Sequence, residues 1–316
     1  MRRTLASIGT IIAMIFAVIP RASAASGSGL SVSPPRAYLT INAGRADSIE
    51  VTLKNISGTD VNVKSIVNDF DSNNETGEPK INTDTSTKSP NSVRSFLVGV
   101  TDVLLNKDET KKISIPVQVP DNATSGAYYG VIRYTAEPLT RDDDGTKKQV
   151  ALNASVGIIV LIEVPGNITE QVQAQKITAQ RNDSSASFFV APPNQSAITL
   201  KNTGNGFARP YGHVSVTKGG KEVYSYEMNN TDPRSNILPD KTRTFKDEIK
   251  NVDKLGRYTI TANISYGQGG DILTLKTSFW VLPLWFIIAV LSGLLVALVA
   301  GYLLYKRISK RHHHHR

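Results

Sequence analysis

The sequence predicts an all-β chain: two tandem Ig-like β-sandwich domains followed by a single transmembrane α-helix. Three observations support this prediction. Short runs of β-branched and aromatic residues alternate with polar residues along most of the chain. Gly, Pro, Asn and Asp punctuate those runs, which is typical of sandwiches. One long uncharged stretch lies near the C-terminus, and outside the two apolar terminal segments no window has a helical period.

The N-terminal residues 1–24 are predicted to be a signal peptide. Arg2 and Arg3 precede an apolar run over residues 8–19 that is short for a membrane span. Ala22-Ser23-Ala24 fits the rule for cleavage between small residues. The mature, exported chain is therefore expected to begin at Ala25.

Two Ig-like domains are predicted because the order of local motifs repeats. Leu53–Asn55 and Leu200–Asn202 both read Leu-Lys-Asn after an alternating strand, and a Gly turn follows each. In both copies a Leu-led polar turn, a further strand and a Gly-x-Tyr strand come next. We place the membrane-distal domain at residues 25–165 and the membrane-proximal domain at residues 166–282.

The two Gly-x-Tyr strands carry Tyr128 and Tyr258 at the same relative place. A Tyr that opens a late strand resembles a tyrosine corner, in which the hydroxyl bonds to upstream backbone. We therefore interpret both tyrosines as structural. The strand that closes the first domain is unusual, because residues 158–162 are apolar on both faces.

Residues 283–305 are predicted to span a membrane. Leu284 to Tyr305 contain no charge, and a helix of that length, at about 1.5 Å per residue, crosses a bilayer core. Trp280 and Trp285 mark one interface, and Tyr302 and Tyr305 the other. Residues 306–316 form a basic tail, so the positive-inside rule predicts a single-pass type I protein with an extracellular ectodomain and a cytoplasmic C-terminus.

The net charge of +9 reflects this topology and does not indicate nucleic-acid binding. Eight basic residues lie in the signal peptide or the tail, which leaves residues 25–305 near +1: Arg2, Arg3, Arg21, Lys306, Arg307, Lys310, Arg311 and Arg316. The run His312–His315 either extends this basic tail, which we favour, or binds metal weakly.

Small residues recur at four-residue spacing inside the membrane segment. Gly293, Ala297 and Gly301 therefore lie on one helix face, as in a small-xxx-small packing stripe. The stripe predicts a possible helix-mediated oligomer or partner helix. The alternative is the ordinary Gly content of a membrane helix.

No residue pattern predicts catalysis, a cofactor or a metal site. The chain has no cysteine, and the ectodomain has one histidine, His213, around which no nucleophile–base pair can be placed. Asp69, Asp71, Asn73 and Glu75 place oxygens at alternate positions, as a calcium loop does. That loop lacks the Gly and Glu of a calcium loop, so we favour a solvated loop, and we interpret residues 141–149 as a charged hairpin turn.

Nine Asn-x-Ser/Thr sites occur in the mature chain, but a chain rich in Asn, Ser and Thr also produces them by chance. Whether they are glycosylated stays open. The sites are Asn55, Asn74, Asn122, Asn153, Asn167, Asn182, Asn194, Asn229 and Asn263.

The whole arrangement resembles the WxL-interacting protein family of Gram-positive bacterial surfaces. Residues 38–77, residues 104–134 and residues 154–164 are similar to the opening, middle and closing strands of that family's first domain. Residues 168–282 resemble its membrane-proximal domain more loosely. The resemblance implies a non-enzymatic surface protein whose outer domain contacts peptidoglycan and whose inner domain contacts another surface protein or a host ligand. No ligand-binding residues transfer, so the ligand site is unknown from sequence.

Our main hypothesis is accordingly a membrane-anchored cell-surface protein that binds cell-wall polymer, surface proteins or both. One alternative is a chaperone or assembly factor for exported subunits, which would offer a sheet edge. A second is an accessory subunit of a membrane complex, held through the stripe in the helix. An enzyme is a distant third.

Overall fold

The computed structural model describes residues 29–139, 155–267 and 270–312. Three sequence predictions lie outside these residues: the signal peptide, the hairpin turn at 141–149 and most of the histidine run. The fold class is confirmed, because the described chain forms two Ig-like β-sandwiches and one C-terminal helix.

Domain 1 has ten described strands, of which eight form the first sandwich and two, β5 and β6, form a separate hairpin. A three-stranded sheet in the order β1-β3-β8 packs on a five-stranded sheet in the order β2-β10-β9-β4-β7. The strands are β1 (Leu30–Ser33), β2 (Arg36–Thr40), β3 (Ala46–Asn55), β4 (Val61–Asn68), β5 (Phe70–Ser72), β6 (Pro79–Ile81), β7 (Val103–Leu105), β8 (Thr110–Gln118), β9 (Gly126–Pro138) and β10 (Ser155–Val164).

The second sandwich, domain 2, repeats this topology. The order β12-β11-β14-β17 matches the first sheet with one short strand added, and β13-β19-β18-β15-β16 matches the second. The strands are β11 (Val172–Arg181), β12 (Ser184–Ser185), β13 (Phe188–Phe189), β14 (Gln195–Asn202), β15 (Tyr211–Lys218), β16 (Lys221–Met228), β17 (Thr242–Glu248), β18 (Gly256–Tyr266) and β19 (Asp271–Val281). In both copies a short strand, β2 or β13, runs parallel to the last strand.

Each domain has its own apolar core between its sheets. Alternation along the strands produces it, since Val51 and Leu53 of β3 point inward while Glu50 and Lys54 face solvent. Ile198 and Leu200 of β14 do the same in domain 2. These cores carry the stability of the two sandwiches, because the chain has no cysteine and hence no disulfide.

The repeated Leu-Lys-Asn motif has one structural role in both domains. The Asn55 and Asn202 side chains are buried, and each accepts a bond from the backbone N–H two residues later. The Nδ2 of Asn202 donates to two backbone carbonyls and that of Asn55 to three, and in each case one of these carbonyls lies four residues later. Each amide therefore fastens its Gly turn to the neighbouring loop.

The tyrosine corners predicted at Tyr128 and Tyr258 are confirmed. The Tyr128 hydroxyl donates to the Thr124 carbonyl at 3.0 Å, and the Tyr258 hydroxyl donates to the Lys254 carbonyl at 2.8 Å. Both bonds span four residues, which ties the start of β9 and of β18 to the preceding loop.

A third apolar cluster joins the two domains and explains the doubly apolar strand β10. Ile158, Val160 and Ile162 point into the core of domain 1, whereas Ile159 and Leu161 point outward. The outward side chains pack with Tyr129 and Val131 of β9 against Phe207 and Leu238 of domain 2. This contact fixes how the two domains meet.

The loop with calcium-like spacing belongs to the same junction. Residues 70–81 form the β5–β6 hairpin, which reaches from domain 1 to strand β17 of domain 2. Asp71 pairs with Lys241 at 2.7 Å, and Glu75 pairs with Lys246 at 2.9 Å. The carboxylates thus diverge to separate lysines, and in the described chain no group of three or more His, Asp or Glu side chains is placed to hold a metal ion.

The C-terminal helix α1 runs from Leu284 to His312, beyond the predicted end of the span at residue 305. Its segment Leu284–Arg307 is long and apolar enough to cross a membrane. Gly293 and Gly301 face open space, and their predicted packing role together with Ala297 stays a prediction.

Candidate functional site

The largest cleft that we describe lies at the domain junction beside the interdomain apolar cluster. It has a volume of about 590 Å³, and its walls come from β2 and β10 of domain 1 and from residues 209 and 230–236 of domain 2. Two smaller cavities of about 250 and 160 Å³ share lining residues with it. We call this continuous groove the arginine cleft.

Four arginines from both domains line the arginine cleft. Arg36 lies on β2, Arg209 precedes β15, Arg234 lies in the loop before β17, and Arg243 lies on β17. Within the described parts of the chain, no carboxylate comes within 4.0 Å of the guanidinium groups of Arg36, Arg209 or Arg234. Four acidic side chains, Glu78, Glu163, Glu170 and Asp232, also line these cavities. The three guanidinium groups that form no ion pair with them are suited to an anionic ligand, carboxylates in particular.

Stacking on aromatic rings positions two of these arginines. The Arg209 guanidinium lies 4.2 Å from the centre of the Tyr38 ring, and that of Arg234 lies 3.8 Å from the Tyr211 ring. Such cation–π contacts hold a guanidinium in place while its N–H donors stay available. The Tyr38 ring also packs edge-on against Phe207, which ties the site to the domain interface.

The electrostatics of the cleft follow from burial and from like charges. Burial lowers the pKa of Arg243 and the nearby Arg36 lowers it further, so the positive charges repel each other. Burial raises the pKa of Tyr38, against the opposite effect of Arg209, and the Tyr38 hydroxyl donates to Glu163 Oε2 at 3.1 Å. An incoming carboxylate would relieve the repulsion between the arginines.

A buried asparagine shapes the wall contributed by residues 229–236. Asn229 has a positive φ of 54°, and its Nδ2 donates to the carbonyls of Pro210 and Ser235 at 2.7 and 2.8 Å. Its Oδ1 accepts from the Ser235 N–H at 2.9 Å. The loop that presents Arg234 is thereby tied to the start of β15.

An open strand edge lies directly beside the cleft. Strand β2 is outermost in its sheet and pairs with β10 only over Ile159–Glu163. Residues 155–158 of β10 pair with β9 on one side, and among the described residues no strand pairs with their other side. Residues 155–158 therefore offer unpaired backbone N–H and C=O groups. This open stretch of the edge ends where Arg36 pairs with Ile159.

The residues that the sequence singled out lie elsewhere. His213 forms an exposed cross-strand pair with Glu227, with 2.7 Å between Nδ1 and Oε1. Asp71 and Glu75 pair with lysines, Asn73 Oδ1 accepts from the Glu75 N–H, and Asp69 Oδ2 accepts from the Ser89 N–H at 3.0 Å. Neither group opens into the arginine cleft.

Sequence reasoning missed the arginines because they are dispersed over more than two hundred residues. Only the pairing of two sandwiches brings Arg36 and Arg234 together. A weak local signal exists, since Arg36, Arg209 and Arg234 each adjoin a proline, and two of them are followed within two residues by a tyrosine. An arginine that adjoins a proline and is followed by an aromatic residue, away from the centre of a strand, could have indicated a surface where the guanidinium stacks on an aromatic ring.

No family model matches this chain, and no curated protein matches it. Among solved structures, the class 5 fimbriae chaperone CfaA is 13% identical with a TM-score of 0.40, covering 79% of this chain and 98% of its own. The E. coli chaperone DraB is 14% identical with a TM-score of 0.37, covering 79% and 96%. The similarity concerns the all-β fold and says nothing about ligands, and the WxL-interacting resemblance stays a prediction.

Proposed function

We propose that this chain is a non-enzymatic, membrane-anchored binding protein that holds an extended segment of another exported polypeptide at the arginine cleft. The observation that supports this most directly is the group of guanidiniums from both domains without a carboxylate within 4.0 Å, beside an open strand edge. In this proposal the chain acts as a chaperone or assembly factor for exported proteins.

The chemistry of the cleft favours a carboxylate. Arginine can donate two parallel N–H bonds to one carboxylate, a geometry that favours planar anions. Because Arg36 belongs to domain 1 and Arg209 and Arg234 belong to domain 2, the ligand depends on both domains. The interdomain apolar cluster and the β5–β6 hairpin hold the two halves together.

The open edge favours a polypeptide over a glycan. An added strand can bond to the free backbone groups of residues 155–158 whatever its side chains are. A guest strand parallel to β10 would bring its C-terminal end to Arg36, and its terminal carboxylate would enter the cleft. The opposite direction would place an ammonium group among arginines and is electrostatically unfavourable.

The C-terminal helix suits a membrane anchor. It follows β19 after only Leu282 and Pro283, and residues 284–307 are apolar enough to span. With the basic tail on the cytoplasmic side, both sandwiches lie outside the membrane, where exported partners are found.

The test compares the intact chain in detergent with Arg36→Gln and Arg209→Gln variants, and uses Arg45→Gln as the control. Arg45 is an equally exposed arginine on a turn of domain 1 away from the cleft. Each protein is incubated in parallel with isolated cell walls and with solubilised envelope proteins. We expect capture of a few envelope proteins that is lost with Arg36→Gln and kept with Arg45→Gln, at unchanged melting temperature.

The same experiment evaluates the wall-binding hypothesis implied by the WxL-interacting resemblance. Sedimentation with bare peptidoglycan, competed by soluble muropeptides and unaffected by Arg36→Gln, would support wall binding by another surface. That outcome would overturn our proposal.

A further inference from the structure

We propose that the membrane-proximal end of domain 2 is a lipid-docking face made by Phe188, Val190 and Trp280, on which the ectodomain rests against the bilayer. This inference rests on the proposed membrane anchoring of α1 and concerns a surface separate from the arginine cleft. We call these three residues the basal patch.

Strand pairing brings the basal patch together from distant parts of the chain. Phe188 of β13 is the register partner of Trp280 of β19, so both side chains leave the same outer face of the sheet. Their neighbours Phe189 and Val281 point into the core. The exposed fractions are 64% for Phe188, 52% for Val190 and 41% for Trp280, which is high for large apolar side chains side by side.

The equivalent place in domain 1 is already a contact surface. There β2 and β10 correspond to β13 and β19, and Tyr38 and Leu161 occupy the matching face. Leu161 is buried against Phe207 and Leu238, and Tyr38 packs against Phe207. Counted from Gly126 and Gly256, Trp280 corresponds to Glu163, so the apolar side chains Leu161 and Trp280 lie two positions apart on the matching face. In domain 1 this face rests on domain 2.

The bilayer is what lies beyond the matching end of domain 2. Only Leu282 and Pro283 separate β19 from α1, and the Phe286 N–H already donates to the Pro283 carbonyl at 2.9 Å. Trp280 is therefore four residues from the start of the helix, within about 13 Å along an extended chain. Aromatic side chains are enriched at this depth, where the ring meets acyl chains and headgroups.

The charges around the basal patch suit anionic headgroups. Arg257 is the register partner of Trp280 on the other side of β19 and is exposed. Lys254 is also exposed in the turn before β18, and the acidic residue Asp253 directly precedes it. Cations bordering an aromatic patch add a modest electrostatic attraction to a negatively charged membrane surface.

The test exploits the absence of cysteine from the chain. Val190→Cys and Ile272→Cys variants of the full chain are labelled with a polarity-sensitive fluorophore and reconstituted in phosphatidylcholine–phosphatidylglycerol vesicles. Ile272 is the matched control, because it is 65% exposed on β19 but lies eight residues from Trp280, about 26 Å away. We expect blue-shifted emission and quenching by brominated lipids at Val190 and neither effect at Ile272.

A second variant separates docking from mere proximity to the helix. Phe188→Ser removes an exposed side chain and leaves the core unchanged, so the fold should persist. If the proposal holds, Phe188→Ser shifts the emission wavelength of the label at position 190 toward that of the label at position 272. If Phe188→Ser has no effect, the patch does not hold the domain on the membrane and the proposal is overturned.

The remaining outcomes are also decisive. Shielding of the Val190 label from aqueous acrylamide without lipid quenching would assign the face to a protein partner or a second copy, and would overturn lipid docking. Trp285, observed alone in a Trp280→Phe variant, reports insertion of α1. If brominated lipids did not quench Trp285, α1 would not be inserted in the bilayer and the proposed membrane anchoring would be wrong. That result is distinct from loss of docking alone.

Discussion

Domains 1 and 2 share one topology but differ on the outer face of their last two strands. In domain 1 that face carries Tyr129, Val131 and Leu161, all buried at the junction. At the corresponding positions domain 2 carries Thr259 and Ser278, whose hydroxyls are 3.1 Å apart, and Trp280 of the basal patch lies two residues further along the same face. The framework is therefore duplicated, and a few outward residues decide which copy receives a neighbouring domain.

The largest expected effect comes from placing a charge on the covered face. Leu161→Arg should cost at least about 3 kcal/mol, because it removes a buried apolar side chain and buries a charge without a partner. Ser278→Arg, on the matching open face, should stay within about 0.5 kcal/mol. Urea unfolding measures both values, and limited proteolysis near residues 165–171 reports separation of the domains. Equal effects would show that the two faces are equivalent after all.

Alanine variants of the buried Asn55 and Asn202 test whether the two domains depend equally on the hydrogen bonds of this side chain. Asn202→Ala should cost about 2–3 kcal/mol, because two buried carbonyls and one N–H lose their partner. Asn55→Ala should cost less, since its loop is partly open to water. Thermal unfolding of the two variants gives the comparison, and a larger loss for Asn55→Ala would contradict it.

Loss of the tyrosine-corner hydroxyl should also lower the free energy of unfolding more in domain 2 than in domain 1. The difference should be smaller than that between the two asparagine variants. Tyr258 is almost fully buried, so Tyr258→Phe should cost about 1 kcal/mol through the lost bond to the Lys254 carbonyl. The Tyr128 hydroxyl is exposed, and Tyr128→Phe should cost a few tenths of that value because water can replace the bond. Chemical unfolding at neutral pH checks the order of the two variants.

The smallest expected change in the free energy of unfolding at neutral pH is that of a Tyr129 variant at the domain junction. Burial raises the pKa of Tyr129 to about 12 from its ordinary value of 10, with Asp71, Asp69 and Asp240 adding to the shift. A raised folded-state pKa means that this stabilisation is complete below pH 10 and is lost as pH rises toward 12. Tyr129→Phe should therefore reduce the loss of stability between pH 10 and 12. An alkaline unfolding series measures it, and an unchanged slope would contradict the assignment.

Much of the fold could be predicted from the sequence because it depends on local periodicity. Alternation, turn residues and the repeated Leu-Lys-Asn motif report on single strands and their turns, and Tyr128 and Tyr258 do the same. The doubly apolar strand β10 was noticed as well, although its cause lies in the other domain. The pairing of Asp71 and Glu75 with lysines of domain 2 could not be predicted, since spacing within a loop says nothing about what the loop faces.

The candidate site was beyond sequence reasoning for a physical reason. A binding cleft between domains is assembled by tertiary packing, so Arg36 and Arg209 have no fixed spacing that a pattern could capture. The same holds for the basal patch, where Phe188 and Trp280 meet only through the parallel pairing of β13 with β19. The sequence predicts an interface role for Trp280 from its distance to the helix, whereas nothing in the sequence singled out Phe188.

The parallel pair β13–β19 also has a mechanical consequence. If a partner held at the arginine cleft were pulled, the tensile force would be transmitted through domain 2 and along β19 to α1. The bonds from Trp280 N–H to the Ser187 carbonyl and from Leu282 N–H to the Phe189 carbonyl, both 2.8 Å, lie beside that exit. Because the two strands run in the same direction, pulling on β19 shears these bonds together instead of opening them one after another. Domain 2 is thus arranged to resist traction along the chain at the point where β19 leads into α1.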